Sequence, residues 1–176
     1  MQHTDSSKIM IVSLVSIMES SGLLADFFLL FDKWNTKKKE RSVSKQIIGI
    51  KERDIVFLQM GKNIGYEQDG KGAEFLRPVV IYKKYNRNMF LGIPLTTQLK
   101  ENRYYFTFTY KNRSEKEIQN AALLSQIRVY DTKRVKYKSG VIAKDDFMSL
   151  HGKLWEVNKP DASNFPIKGK SPEGIQ

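Results

Sequence analysis

The 176-residue chain carries 30 Lys and Arg against 19 Asp and Glu, a formal net charge of +11, and no cysteine. That length holds one compact domain with appendages rather than two. The lack of cysteine excludes disulfides, thiolate zinc sites and thiol catalysis, and fits a cytoplasmic location. An excess of positive charge on this scale draws in polyanions and points to nucleic acid or an acidic protein as partner. Aromatic residues, 11% of the chain, offer stacking surfaces for unpaired bases.

Met1 to Ser7 is polar, and Lys8 then precedes an apolar run from Ile9 to Met18. The run looks like the front of a signal peptide, but no small-residue cleavage pattern follows before Leu23 and Leu24. Glu19 and Asp26 interrupt the longer apolar stretch, so no membrane-spanning helix is expected. Met18 stands just ahead of a helical pattern, so residues 1–17 are expected either to be dispensable for folding or to reflect a misassigned start codon. From there Leu23, Leu24, Phe27, Leu30, Phe31 and Trp34 recur at spacings of three and four, the stripe of an amphipathic helix that must be buried. Docking on the rest of the chain is the plain expectation, and a partner- or membrane-surface helix the sharper one. The basic run Lys37, Lys38, Lys39, Arg41 and Lys45 reads as a solvated linker, with contact to RNA phosphates as the alternative.

Three strand-like runs follow: Arg53 to Met60, Leu76 to Lys83 and Met89 to Thr97. Between the first two lies GKNIGYEQDGKGAE, Gly61 to Glu74, far longer than a plain hairpin needs. Its four glycines permit close approach of a ligand, and Glu67, Gln68 and Asp69 supply hydrogen-bonding heads. Arg77 opens an otherwise apolar strand, and Pro78 marks a strand start or edge. Thr96 and Thr97 end the third strand beside Gln98. A guanidinium and a hydroxyl offered from neighbouring strand ends suit a phosphate. The plainer reading is an arginine paired with a surface carboxylate and threonines that merely favour strand.

Tyr104 to Tyr110 alternates aromatic and hydroxyl residues, a strand with one buried face. Asn112 to Asn120 reads as a polar connection, and Ala121 to Tyr130 as a strand placing Gln126 and Arg128 on one face. Asp131 to Lys138 adds Lys133, Arg134, Lys136 and Lys138 before a turn at Ser139 and Gly140. Asp145 to Val157 reads as a closing helix with Phe147, Leu150, Leu154 and Val157 on one stripe. His151 on it is read as structural, and with His3 the only other histidine, no metal-ligand spacing occurs. Asn158 to Gln176 reads as a disordered tail.

Taken together, RDIVFL, NIGYEQDG, RPVVIY, IPLTTQ and LLSQIRVYD followed by KR resemble the MazF/PemK family of toxin endoribonucleases over roughly Ile50 to Leu154. The resemblance implies a mainly β fold, a small SH3-like barrel, here with a helical extension before it and a C-terminal helix after it. It divides the chain into residues 1–50, the extension and basic linker, residues 51–157, the barrel, and residues 158–176, the tail. It further implies a homodimer that cleaves single-stranded RNA without metal or cofactor and is held by an acidic antitoxin. Arg77 and Thr96 fall on the catalytic positions, with Glu67, Gln68, Thr97, Gln98, Gln126 and Arg128 toward RNA. The chain departs from the pattern in extra residues around Gly72 to Phe75, in the extension, and in Ser125 where many relatives carry an acid. Ser125 keeps open a binding relative without turnover, and the same barrel elsewhere poisons a topoisomerase, so a protein-directed toxin is the other alternative.

Overall fold

The structure, a computed structural model, describes residues 22–160. Helix α1 (Leu23–Val43) leads into β1 (Asp54–Gln59), β2 (Leu76–Lys84), β3 (Met89–Thr96), β4 (Tyr105–Lys111) and β5 (Glu117–Leu123). A 3-10 turn (Leu124–Gln126), β6 (Arg128–Asp131), a second such turn (Thr132–Arg134), β7 (Val135–Val141) and helix α2 (Lys144–Asn158) complete it. The strands form one antiparallel sheet in the order β4-β5-β3-β2-β1-β7, with β6 laid against the first half of β3. The expectations for the signal-like start and the tail from 161 onward lie outside the described residues.

The central strands are buried on both faces, which is why their sequences run apolar without alternation. Ile55 of β1 and Val80 of β2 face a core shared with Ile93, Leu95, Phe108 and Tyr110 and roofed by Leu150 and Leu154 of α2. Their neighbours Val56, Leu58, Val79 and Ile81 face the other way, into a second core with Met60, Phe90, Tyr130 and Val135. The period-two switch thus feeds two cores from one pair of strands. β4 lies at an edge and keeps alternation, with Phe108 and Tyr110 buried and Thr107 and Thr109 exposed.

The expectation of a mainly β, SH3-like closed barrel is corrected by this topology. The sheet is an open path ending in β4 and β7, whose edges meet at the single bridge Asn112↔Gly140. Register shifts between Ile55 and Val56 and between Phe57 and Leu58 bend β7 along β1, so the two edges converge at one point and do not zip. Two helices of 21 and 15 residues pack on this sheet, giving a mixed α/β fold.

Smaller corrections share a cause, namely that apolar continuity hides a change of partner. Ala121 to Tyr130 is two strands: β5 pairs with the end of β3 (Thr96↔Ala121) and β6 with its start (Gly92↔Arg128). β5 also reaches back to Glu117, inside the expected polar connection, because Gln119 and Ile118 pair with Thr109 and Tyr110. Ser139 and Gly140 lie within β7, where a Cβ on Gly140 would come within 2.5 Å of the Lys111 carbonyl. The basic run is helix as far as Val43, since Lys, Glu and Arg are good helix formers whatever their charge.

Candidate active site

Antiparallel register sets the site. Leu58 pairs with Arg77 and Val79 with Pro94, so two steps further along the same register Arg77 lies opposite Thr96 at the end of β3. Arg77 is only 5% exposed because the 61–75 loop folds over it. Its Nε donates to the Asp69 carbonyl and one terminal nitrogen to the Leu95 carbonyl at 3.2 Å. The other terminal nitrogen donates at 2.8 Å to the Gln68 amide oxygen in its hydrogen-bonded orientation. A guanidinium has five N–H groups. One on each terminal nitrogen therefore stays uncommitted among the described residues. Burial pulls the Arg77 pKa down, with Asp69 and Tyr130 opposing, yet an arginine so placed stays charged at neutral pH.

The loop is braced from within and from two sides. The Asp69 carboxylate pairs with Lys62 and accepts the Asn63 amide at 2.6 Å, while the Asn63 side chain donates to the Gln68 carbonyl at 2.7 Å. Gln126, at the end of its 3-10 turn, clamps the loop: its oxygen accepts the Gln68 amide at 3.2 Å and its nitrogen donates to the Tyr66 carbonyl at 3.1 Å. On the far side α1 lies along it, with Lys37 Nζ 2.6 Å from Glu74 and Lys62 over the Phe27 ring. Gly61, at φ +97°, is where Trp34 of α1 seats, and a Cβ there would fall 2.2 Å from the indole. Gly70 is required too, since its Cβ would strike the Phe75 carbonyl at 1.9 Å.

The structure brings Arg77, Gln68 and Gln126 into contact through these bonds. Thr96 is buried at the strand end, its hydroxyl accepting the Gln98 amide at 3.1 Å, and Thr97 and Gln98 beyond it are exposed. Glu67 is placed apart, lining a cleft against α1 with Phe31, Asn35 and Lys38. Arg128 lies 5.0 Å over the ring of Tyr130.

Tyr130 and Arg134 are the residues sequence reasoning missed as a centre. Tyr130 is 3% exposed, and its hydroxyl makes no hydrogen bond of ordinary geometry. Burial raises its pKa, with the charges of Arg128, Arg134 and Arg77 opposing. Arg134 donates to the Gln59 and Met60 carbonyls and stacks 5.6 Å from Trp34. The signal in sequence was the alternation R-V-Y-D-T-K-R, which aims Arg128 and Tyr130 to one side of the strand until the turn brings Arg134 back. Among the described residues no group of three or more His, Cys, Asp or Glu could hold a metal ion. No described helix is long and apolar enough to cross a membrane.

Residues 51–157 match the family model described as PemK-like, MazF-like toxin of type II toxin-antitoxin system. The chain belongs to this toxin family. The toxin's fold is similar to that of MazF (Form-I) from Deinococcus radiodurans, at 18% identity and a TM-score of 0.51 over 64% of this chain and 97% of that one. Mycobacterium tuberculosis toxin MazF-mt6 is more distant, at 12% identity and a TM-score of 0.44 over 59% of this chain and 94% of that one. No curated protein sequence matches. Helix α1 precedes the matched residues, so the surface that braces the toxin's loop is supplied from outside the family's part of the chain.

Proposed function

We propose that this toxin is an endoribonuclease that cuts single-stranded RNA by transferring the phosphodiester to its own 2′-hydroxyl. The 2′-oxygen attacks phosphorus, the bond to the 5′-oxygen breaks, and a 2′,3′-cyclic phosphate and a 5′-hydroxyl remain. The attacking hydroxyl loses its proton to a base and the leaving oxygen gains one. Arg77 places its two uncommitted N–H groups against the charge that builds on the phosphoryl oxygens, and the Thr96 hydroxyl positions the phosphate. Because the nucleophile belongs to the substrate, one fixed cation and good positioning supply much of the catalysis, and neither metal nor cofactor enters the scheme. Glu67, Gln68, Thr97, Gln98, Gln126 and Arg128 would line the path of the strand.

The observation that carries this reading is a buried guanidinium held by three carbonyl-type oxygens, with N–H groups left over, beside a strand-end threonine. Since Gln68 and Asp69 cover that guanidinium, RNA must lift the loop to reach it. Ser125, exposed in the turn before Gln126, offers no carboxylate as base, and this favours the second reading, an RNA-binding relative without turnover. An acidic antitoxin would lie over the loop, Thr97, Gln98, Lys133 and Arg134, and the toxin would act in the cytoplasm as a homodimer. Incubation with long unstructured RNA and mapping of new 5′ ends, with and without a chelator, tests the proposal. Discrete 5′-hydroxyl ends unaffected by chelator support it, and intact RNA bound by folded protein leaves the binding relative.

A further inference from the structure

A cavity of about 240 Å³ lies between α1 and the turn that follows β6. Lys38 and Arg41 line it from the helix, and Lys133 and Arg134 from the turn, with Trp34 and Asp131 in the wall. Four cations thus share one small space with a single carboxylate. Among the described residues none of the four forms a salt bridge, and Asp131 spends one oxygen on the Lys133 amide at 2.7 Å. What holds three of them is neutral: Arg41 donates to Gln59 Oε1 at 2.7 Å, Lys133 Nζ to the Ser42 carbonyl at 2.9 Å, and Arg134 to the Gln59 and Met60 carbonyls. Such fixing of cations side by side is costly without an anion, and preorganised when one arrives. Trp34 shows the arrangement to be built, since Lys38 and Arg134 both stand over its buried ring.

The cavity also joins the site already described. Arg134 links them: it lines the cavity and donates to the Gln59 carbonyl, and Gln59 pairs across the sheet with Leu76, the residue before Arg77. We infer that this cavity is a phosphate subsite, taking a backbone phosphate of the RNA strand some nucleotides away from the bond that is cut. The inference rests on the ribonuclease reading for its choice of strand. α1 thereby acts as half of a substrate site, with a length requirement on the RNA that the family's matched residues alone would not impose.

The test uses the full chain and 2′-O-methylated RNA, which lacks the nucleophile, as a 4-mer and a 12-mer of one unstructured sequence. Affinity is read by anisotropy across a salt series. In Lys38→Gln/Arg41→Gln the 12-mer should bind roughly tenfold more weakly, with the logarithmic salt slope smaller by about 0.7 for each phosphate the variant no longer neutralises. The 4-mer should bind as to wild type. Lys38→Glu should show the same selective loss without touching the Arg41 bond to Gln59. A control pair on other surfaces, Lys111→Gln/Lys144→Gln, makes the same change in net charge and should leave both oligonucleotides unaffected. Unchanged 12-mer binding and slope in both α1 variants, or an equal loss in the control, overturns the inference. So does a loss confined to a poly-glutamate peptide, which would give the cavity to an acidic protein. Because the probe cannot be cut, absence of cleavage in the wild type sinks the ribonuclease reading separately from this one.

Discussion

Arg77 does two things at once in this fold. It closes the loop through Asp69, Gln68 and Leu95, and two of its N–H groups remain uncommitted among the described residues. Arg77→Lys keeps the charge but loses the planar fork, so it should recover only part of the activity and should also loosen the loop. Thr96→Val removes the acceptor of the Gln98 amide, a loss of about 1 kcal/mol of stability, and should cut poorly while remaining folded. Thr97→Val, at an exposed position one residue on, should be milder in both respects. Single-turnover rates beside thermal unfolding check the pair, and equal activity in Thr96→Val and wild type would remove the hydroxyl from the mechanism. Arg77 was legible in the sequence because a lone charge opened an apolar strand. Its partners were not: Gln126 lies 58 positions from Gln68, and only the turn between β5 and β6 brings them together.

At the scale of elements, α1 is the part the sequence described least well. Its stripe said that it must be buried, and Trp34 is buried, but Phe27, Phe28 and Leu30 remain exposed, so of the stripe's described side chains only Trp34 is fully docked. The seat for Trp34 is a glycine that has no signal of its own, since Gly61 reads as ordinary loop. Gly61→Ala sets a Cβ against the indole at a positive φ and should cost about 1 to 3 kcal/mol, read by thermal unfolding. A neutral result would mean that α1 docks elsewhere in solution.

Glu74 makes the second link between α1 and the loop, and it gives that link a pH dependence. Its pKa is lowered, first by the hydrogen bond from Lys37 and then by the charges of Lys37 and Lys136, against a burial penalty. A carboxylate depressed in the folded state contributes above its unfolded pKa, and that contribution is lost as pH falls through the folded value. The clasp should therefore loosen only in the acid range, and by a small amount because the pair is partly exposed. Trp34 emission in a Trp155→Phe background reports it, as Trp155 is the exposed indole. An identical acid titration in Glu74→Gln would assign the change to another group.

For the whole molecule, charge is the organising quantity. A net charge of +11 was legible at once, and the structure shows part of it concentrated around one cavity. An open sheet was not legible, because closure depends on how the edges of β4 and β7 converge, and each edge reads locally as an ordinary strand. Neutralisation should follow the same charge: an acidic antitoxin segment should compete with RNA, with an affinity that falls as salt rises. A partner that binds tightly yet leaves cleavage untouched would place the antitoxin on another face.

Single-turnover cleavage of one mapped RNA by wild type and Arg77→Ala asks whether Arg77 acts on phosphate charge. Losing one such electrostatic interaction costs about 3 to 4 kcal/mol of transition-state stabilisation, so cleavage should fall by about two to three orders of magnitude. RNA affinity, measured on the same samples, should fall far less, while the unfolding temperature should drop measurably because three oxygens lose their donor. Wild-type cleavage per folded molecule in Arg77→Ala would contradict the account.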